Sequence, residues 1–403
     1  MLTRLATVVL AVALFAVSAV AAMTPAEADT ARTAEILVLN ELHVQAAWNI
    51  SRGQGVIVAV IDSGVKPDVS DLTGSVRTGP NLSGVPTPPA NPAWGVHGTW
   101  MASLIAGHGH GGANGIVGVA PRSTVLSIRV ITDPNDPGYA AYERQSAAHG
   151  QAELATAIKY AVRNGAGVIS MSLGYTLESR AVRAALQYAY DKNVVVVASA
   201  GNSGTTAGAD GTGHAPYSFP ANYPGVLAVG AVNGAGQVAS FSSENFSVQV
   251  AAPGYRVPAQ GRDGGYWYVS GTSPACALTA GVVALIKSKY PRLTDSQVIS
   301  AITSSTSPGS RPPGGYDEQI GFGVVDAAAA LAQAGRLAVS PPPPRGLQPS
   351  AHFGGGTAAI PPPPVPARGP GPLILYCLLG VLSLAVVAFS TGRILSNRDR
   401  NEA

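Results

Sequence analysis

Three residues of this chain could together break an amide bond, and each stands where an α/β protein concentrates its chemistry. Ser273 closes the turn Gly271-Thr272-Ser273 and leads into an Ala-rich apolar segment that reads as a buried helix ending near Lys287. A hydroxyl at the mouth of a helix lies beside unpaired backbone N–H groups and the positive end of the helix dipole, where an oxyanion can form and be held. The same position also suits an ordinary N-cap serine. His97 opens a second helical segment running to Ala106. A helix start disfavours the imidazolium, which keeps the ring neutral and therefore basic. Asp62 ends the apolar run Val56 to Ile61. An acidic residue there is either a turn residue or a functional one at the carboxyl end of a strand. A serine nucleophile, a histidine base and an aspartate that orients the base are the parts of an acyl-transfer site.

Those side chains need a sheet to carry them. The run from Val56 to Ile61, bounded by Gly55 and Gly64, has the continuous apolar character of a parallel strand buried on both faces. Similar strands are expected over Thr124–Val130, Gly167–Gly174, Val194–Ala200, Val226–Ala231 and Val248–Ala252. Helices are expected over Ala152–Arg163, Arg180–Asp191 and Asp295–Thr303, with a short amphipathic one over Glu41–Trp48. The polar, Pro-containing stretch Thr132–Gly150 reads as a surface loop. Strands alternating with helices predict an α/β fold, a doubly wound, mostly parallel sheet with helices on both faces. Ser172-Leu173-Gly174 and Asn202 then fall at strand ends on the same rim as Asp62.

Both termini carry membrane signals. Arg4, the apolar run Leu5–Val20 and small residues at Ala19–Ala22 and Ala26–Ala28 describe a secretory signal peptide, residues 1–28, with cleavage after Ala22 or Ala28. Leu373 to Phe389 is free of charge and, with Ser390-Thr391-Gly392, reaches the ~20 residues that span a bilayer. Arg393, Arg398 and Arg400 follow at once, which places the tail 393–403 on the cytoplasmic side and the body outside. Between body and span, residues 339–372 hold two four-proline runs and read as an extended stalk. The expected organisation is leader 1–28, catalytic domain 29–338, stalk 339–372, transmembrane helix 373–392 and tail. A net charge of +3 spread over the chain gives no electrostatic case for nucleic acid. Of the two cysteines, Cys377 lies in the apolar span, so a disulfide with Cys276 is not expected.

The chain order Asp62, His97, Ser273 is the subtilisin order among Ser-His-Asp enzymes. The local motifs resemble the subtilase family: Val60-Ile61-Asp62-Ser63-Gly64 its aspartate motif, His97-Gly98-Thr99 its histidine motif and Gly271-Thr272-Ser273 its serine motif. Ser172-Leu173-Gly174 resembles its substrate-binding strand, and Ala200-Gly201-Asn202 the motif that supplies an oxyanion-hole amide. With leader, stalk and single anchor, the chain is most similar to the mycosins, membrane-anchored subtilases associated with type VII secretion. The resemblance implies a polypeptide substrate, a partnership with secretion membrane components and no large folding pro-domain. It also shows departures. Trp100 stands where family members often have a second histidine, Pro274 replaces the usual methionine after the serine, and Ala277 and Leu278 replace a proline and a histidine.

An extracytoplasmic serine endopeptidase linked to type VII secretion is the leading expectation. The alternative is a structural stabiliser of the secretion complex with little or no proteolysis. A lipase or esterase would need a different chain order and a G-x-S-x-G elbow. No cofactor or metal is expected. Structural calcium is conceivable at Asp68, Asp71, Asp133 and Asp136, although loop acids are usually solvated turn residues. His108 and His110 lack the cysteine or acidic companions of a metal site.

Overall fold

The computed structural model describes residues 25–26, 28–111, 114–204, 214–307 and 315–339. Nearly all of the expected leader, and the stalk past residue 339, the membrane span and the tail, lie outside the described residues. In chain order the elements are β1 (Pro25–Ala26), α1 (Ala28–Glu41), α2 (Val44–Ala47), β2 (Ile57–Asp62), β3 (Val76–Asn81), α3 (Val96–Ala106), β4 (Thr124–Arg129), α4 (Tyr139–Arg163), β5 (Val168–Met171), α5 (Arg180–Asp191), β6 (Val195–Ser199), β7 (Leu227–Val232), β8 (Val250–Pro253), β9 (Val257–Gln260), β10 (Tyr266–Val269), α6 (Thr272–Lys289), α7 (Asp295–Thr303) and α8 (Ala327–Val339).

Seven strands form one sheet in the order β3-β4-β2-β5-β6-β7-β8, every pairing parallel. Side chains alternate across it. Val58 and Val60 of β2, and Val195 and Val197 of β6, face a core shared with α3 and α6. Ala59, Ile61, Val196 and Ala198 face the opposite core, shared with α4 and α5. Both faces are therefore apolar, as a continuous hydrophobic strand requires. Strand order reverses at β2: the chain leaves it toward β3 and β4, then returns on its other side as β5. The carboxyl edge at such a reversal is where doubly wound sheets place ligands. A smaller antiparallel sheet, β1-β10-β9, completes the strands among the described residues.

The expected helix over Glu41–Trp48 is replaced by α1 and the one-turn α2. In α1 the buried positions Ala31, Glu35 and Leu39 recur every four residues. A charge in the middle of the stripe hides the helical period from a hydrophobicity reading. Glu35 is 2% exposed and accepts from Val117 N–H (2.9 Å) and Arg32 Nη1 (2.7 Å). The expected loop Thr132–Gly150 also shortens, because α4 starts at Tyr139 with polar turns that lack an apolar period. Of the four loop acids only Asp68 is solvated. Asp71 is fully buried and receives His110 Nδ1, Ile116 N–H and the Tyr266 hydroxyl at 2.6, 2.7 and 3.1 Å. Asp136 is buried with Arg129, Thr87 and the Gly138 N–H. Asp133 is buried at the start of α3. These carboxylates anchor loops to the body. Among the described residues no cluster of three or more His, Cys, Asp or Glu side chains could hold a metal ion, and no helix is long and apolar enough to cross a membrane.

Candidate active site

Asp62 is the last residue of β2 and is 1% exposed. Its Oδ1 accepts the Ser63 N–H at 2.6 Å, and its two oxygens stand 2.8 and 3.0 Å from His97 Nδ1. A buried carboxylate facing a ring nitrogen requires the proton on that nitrogen, so Nε2 is left with its lone pair. Burial pulls the imidazolium down in pKa. The Asp62 charge and hydrogen bond, with a further contribution from Asp133, outweigh that and hold His97 above the ordinary histidine value, the reverse of what the helix start alone predicts.

His97 reaches Asp62 because α3 starts against the β2 turn. A Cβ on Gly98 would lie 2.2 Å from the Gly64 carbonyl oxygen and 3.3 Å from Asp62 Cβ, so only glycine allows this approach. The residue before the helix, Gly95, has no side chain to cap it. The cap comes from a distant loop instead: Asp133 accepts Val96 N–H on Oδ2 and His97 N–H on Oδ1, each at 3.0 Å.

Ser273 is the second residue of α6, whose residues Pro274 to Lys287 are all buried. A helix apolar on every side belongs to the core, so the nucleophile candidate sits on one of the most deeply packed elements. Gly271 precedes the helix with φ of 150°, and a Cβ there would come within 3.4 Å of Asn202 Nδ2. Pro274 falls in the first turn, where helices need no N–H, and α6 runs unbroken through it. Asn202 follows β6. Its Oδ1 accepts Thr272 N–H at 2.9 Å and the Thr272 hydroxyl at 3.0 Å. A backbone N–H can only donate, so this contact fixes which end of the amide is oxygen and turns the NH₂ group away from Thr272. Ser172 Oγ donates to the Ser273 carbonyl at 3.2 Å, tying the end of β5 to the start of α6.

One cleft is lined by Ser172, Leu173, Gly174, Asn202 and Ser273, and by Pro216, Tyr217 and Ser218 among others. Asp62 and His97 are paired on the same sheet edge. Among the described residues no hydrogen bond joins Ser273 to His97; such bonds commonly tighten only around bound substrate. Trp100 sets its ring edge-on to His97, 6.4 Å between centroids. Cys276 is fully buried beside Ser170 and the Met171 carbonyl, and burial pushes its thiol up to about 11. It is a core residue. Sequence reading missed Asp133 as a cap and Thr272 as the partner that orients Asn202. An uncapped helix start at Gly95 was the available signal for the first.

With this geometry in hand, similarity to known proteins is specific. The model described as the Subtilase family matches residues 53–323. A subtilisin of Bacillus pumilus is 35% identical over 253 residues, covering 63% of this chain and 84% of the relative. Among solved structures, the MycP3 protease from the type VII (ESX-3) secretion system aligns at TM-score 0.62 and 32% identity, covering 77% of this chain and 93% of that one. MycP1 from Mycobacterium smegmatis aligns at TM-score 0.59 and 31% identity, covering 73% and 84%. The chain belongs to the subtilase family. It is a subtilisin-like serine endopeptidase with mycosin structures among its neighbours.

Proposed function

We propose that Ser273, His97 and Asp62 are the catalytic triad of this peptidase, with Asn202 in the oxyanion hole and Ser172-Leu173-Gly174 along the substrate. The observation that carries the reading is the Asp62–His97 pair, 2.8 Å apart, on the sheet edge that also bears the cleft holding Ser273. His97 Nε2 takes the proton of the Ser273 hydroxyl as Oγ attacks the scissile carbonyl carbon. The carbonyl oxygen becomes an oxyanion, received by Asn202 Nδ2 and the Ser273 N–H. Collapse breaks the C–N bond, and His97 passes its proton to the leaving amine. Water, deprotonated by His97, then cleaves the acyl-serine ester and releases the acid product. Asp62 holds the ring tautomer throughout. An extended peptide would lie along Ser172-Leu173-Gly174 by strand addition.

Reaction of the full-length chain with a fluorophosphonate tests the triad. Wild type is expected to be labelled and Ser273→Ala not; a folded wild type that resists labelling refutes the assignment.

The apolar segment 373–392, the arginines after it and the leader support a further reading: a plasma-membrane protein, anchored once, with the catalytic domain 29–338 outside and a stalk 339–372 between. Secreted polypeptides are then its substrates. The likeness to proteases of type VII secretion systems supports partnership with that machinery. One similar MycP1 is a serine protease described as an essential component of the type VII (ESX-1) secretion system, which favours an accompanying structural role here. Comparing secretion in cells carrying Ser273→Ala with cells lacking the gene separates the two: secretion retained by the variant alone assigns the structural role, and secretion lost in both assigns the proteolytic one.

A further inference from the structure

We propose that Asp133 is a positioning residue for His97, holding the backbone that carries the imidazole while Asp62 holds the ring. This rests on the assignment of His97 as the base. Three consecutive amides open α3, and all three are received by side chains from outside the helix. Val96 N–H and His97 N–H go to the two oxygens of Asp133, and Gly98 N–H goes to Ser63 Oγ at 3.1 Å. The Ser63 side chain also favours the charged form of Asp133, and the Ser63 N–H donates to Asp62. Asp62, Ser63 and Asp133 therefore form one buried frame around the first turn of α3. Ser63 has no exposed surface and Asp133 is 9% exposed.

An ordinary helix cap is a serine or aspartate just before the first turn, and its loss costs about 1 kcal/mol of stability. Here the cap lies on a loop 36 residues away and grips the amide of the base itself. A misplacement of ~1 Å at a reacting group can cost ~10²-fold in rate, so the frame bears on turnover as well as on folding. Asp133 is not among the residues that line the cleft. Its charge also reaches the ring. The groups facing the pair from neighbouring elements are the Asp62 carboxylate on β2 and the cations Arg129 on β4 and Arg262 after β9, both in electrostatic reach of Asp133.

The test uses the full-length chain, a fluorophosphonate as probe and histidine-selective NMR, with the His97 signal identified by its loss in His97→Gln. Asp133→Asn keeps the size of the side chain but removes the charge and presents an NH₂ to one of the two amides. Its limiting rate of phosphonylation is expected to fall about tenfold or more. The apparent affinity for the probe should hold, while the acid limb of the pH profile and the NMR titration of His97 move to lower pH. Asp133→Glu retains the charge and is expected to bring the acid limb back toward wild type. A folded Asp133→Asn chain that melts earlier but reacts at the wild-type rate with an unmoved acid limb would overturn the proposal, leaving only a stability cap. Should Asp133→Asn fail to fold by circular dichroism, Ser63→Ala opens the same frame from the other side; a slower limiting rate supports the proposal and an unchanged one overturns it. If wild type itself does not react, the peptidase assignment fails separately. The His97 titration then decides alone, since its displacement in Asp133→Asn needs no turnover.

Discussion

Asn202 illustrates how one side chain is aimed by another. Thr272 donates twice to its carbonyl oxygen, through a backbone N–H and a hydroxyl, so the amide cannot turn over without breaking two bonds. Replacing Asn202 with alanine removes one pre-aimed donor, for which a loss of ~10²–10³ in kcat is expected with KM nearly unchanged; steady-state kinetics on a peptide substrate checks it, and a rise in KM at unchanged kcat would argue for a binding role. Chemistry restricts residue types severely, which is why Asp62, His97, Ser273 and Asn202 could be named from sequence as candidates. The partners Asp133 and Thr272 were not. Each lies dozens of residues from the group it orients, and only the folded chain brings them together.

At the scale of elements, α1 shows what a buried charge does. Burial of Glu35 outweighs the Val117 N–H and the Arg32 guanidinium and pushes its carboxyl up to about 8, from 4.5. The folded chain therefore binds this proton more tightly than the unfolded chain. Its contribution to stability is fully present below about pH 4.5 and is lost as pH rises through about 8. Thermal unfolding followed between those values should show a declining melting temperature, and Glu35→Gln should flatten that decline. The long apolar strands and α5 and α7 were readable because their periods were clean. The charge that breaks the stripe of α1, and the polar opening of α4, are what concealed those two; β3, β9, β10 and α8 were not read from the sequence either.

For the molecule as a whole, the two cores on either side of the sheet share β2, β5, β6 and β7, so they should unfold together. Cys276 reports on this. It is fully buried, with its thiol held near 11 by burial, and thiolate is the reactive form. In a Cys377→Ser background a thiol reagent is expected to modify Cys276 only at the rate of global unfolding, measured by mass spectrometry; rapid labelling of folded protein would mean local opening of α6. The buried Arg129–Asp136 pair, 2.8 Å apart with neither side chain more than 2% exposed, offers a second check. Asp136→Ala strands a buried cation and should cost about 3–5 kcal/mol by chemical denaturation.

The packing of α6 also bears on how this protein can be re-engineered. Its nucleophile candidate stands on a helix buried from Pro274 to Lys287, so a designer who varies that element alters the foundation together with the tool. The cleft wall formed by Pro216 to Ser218 belongs to neither a helix nor a main-sheet strand. New substrate preferences are therefore better sought in libraries built on that wall, with α6 held constant as the chassis.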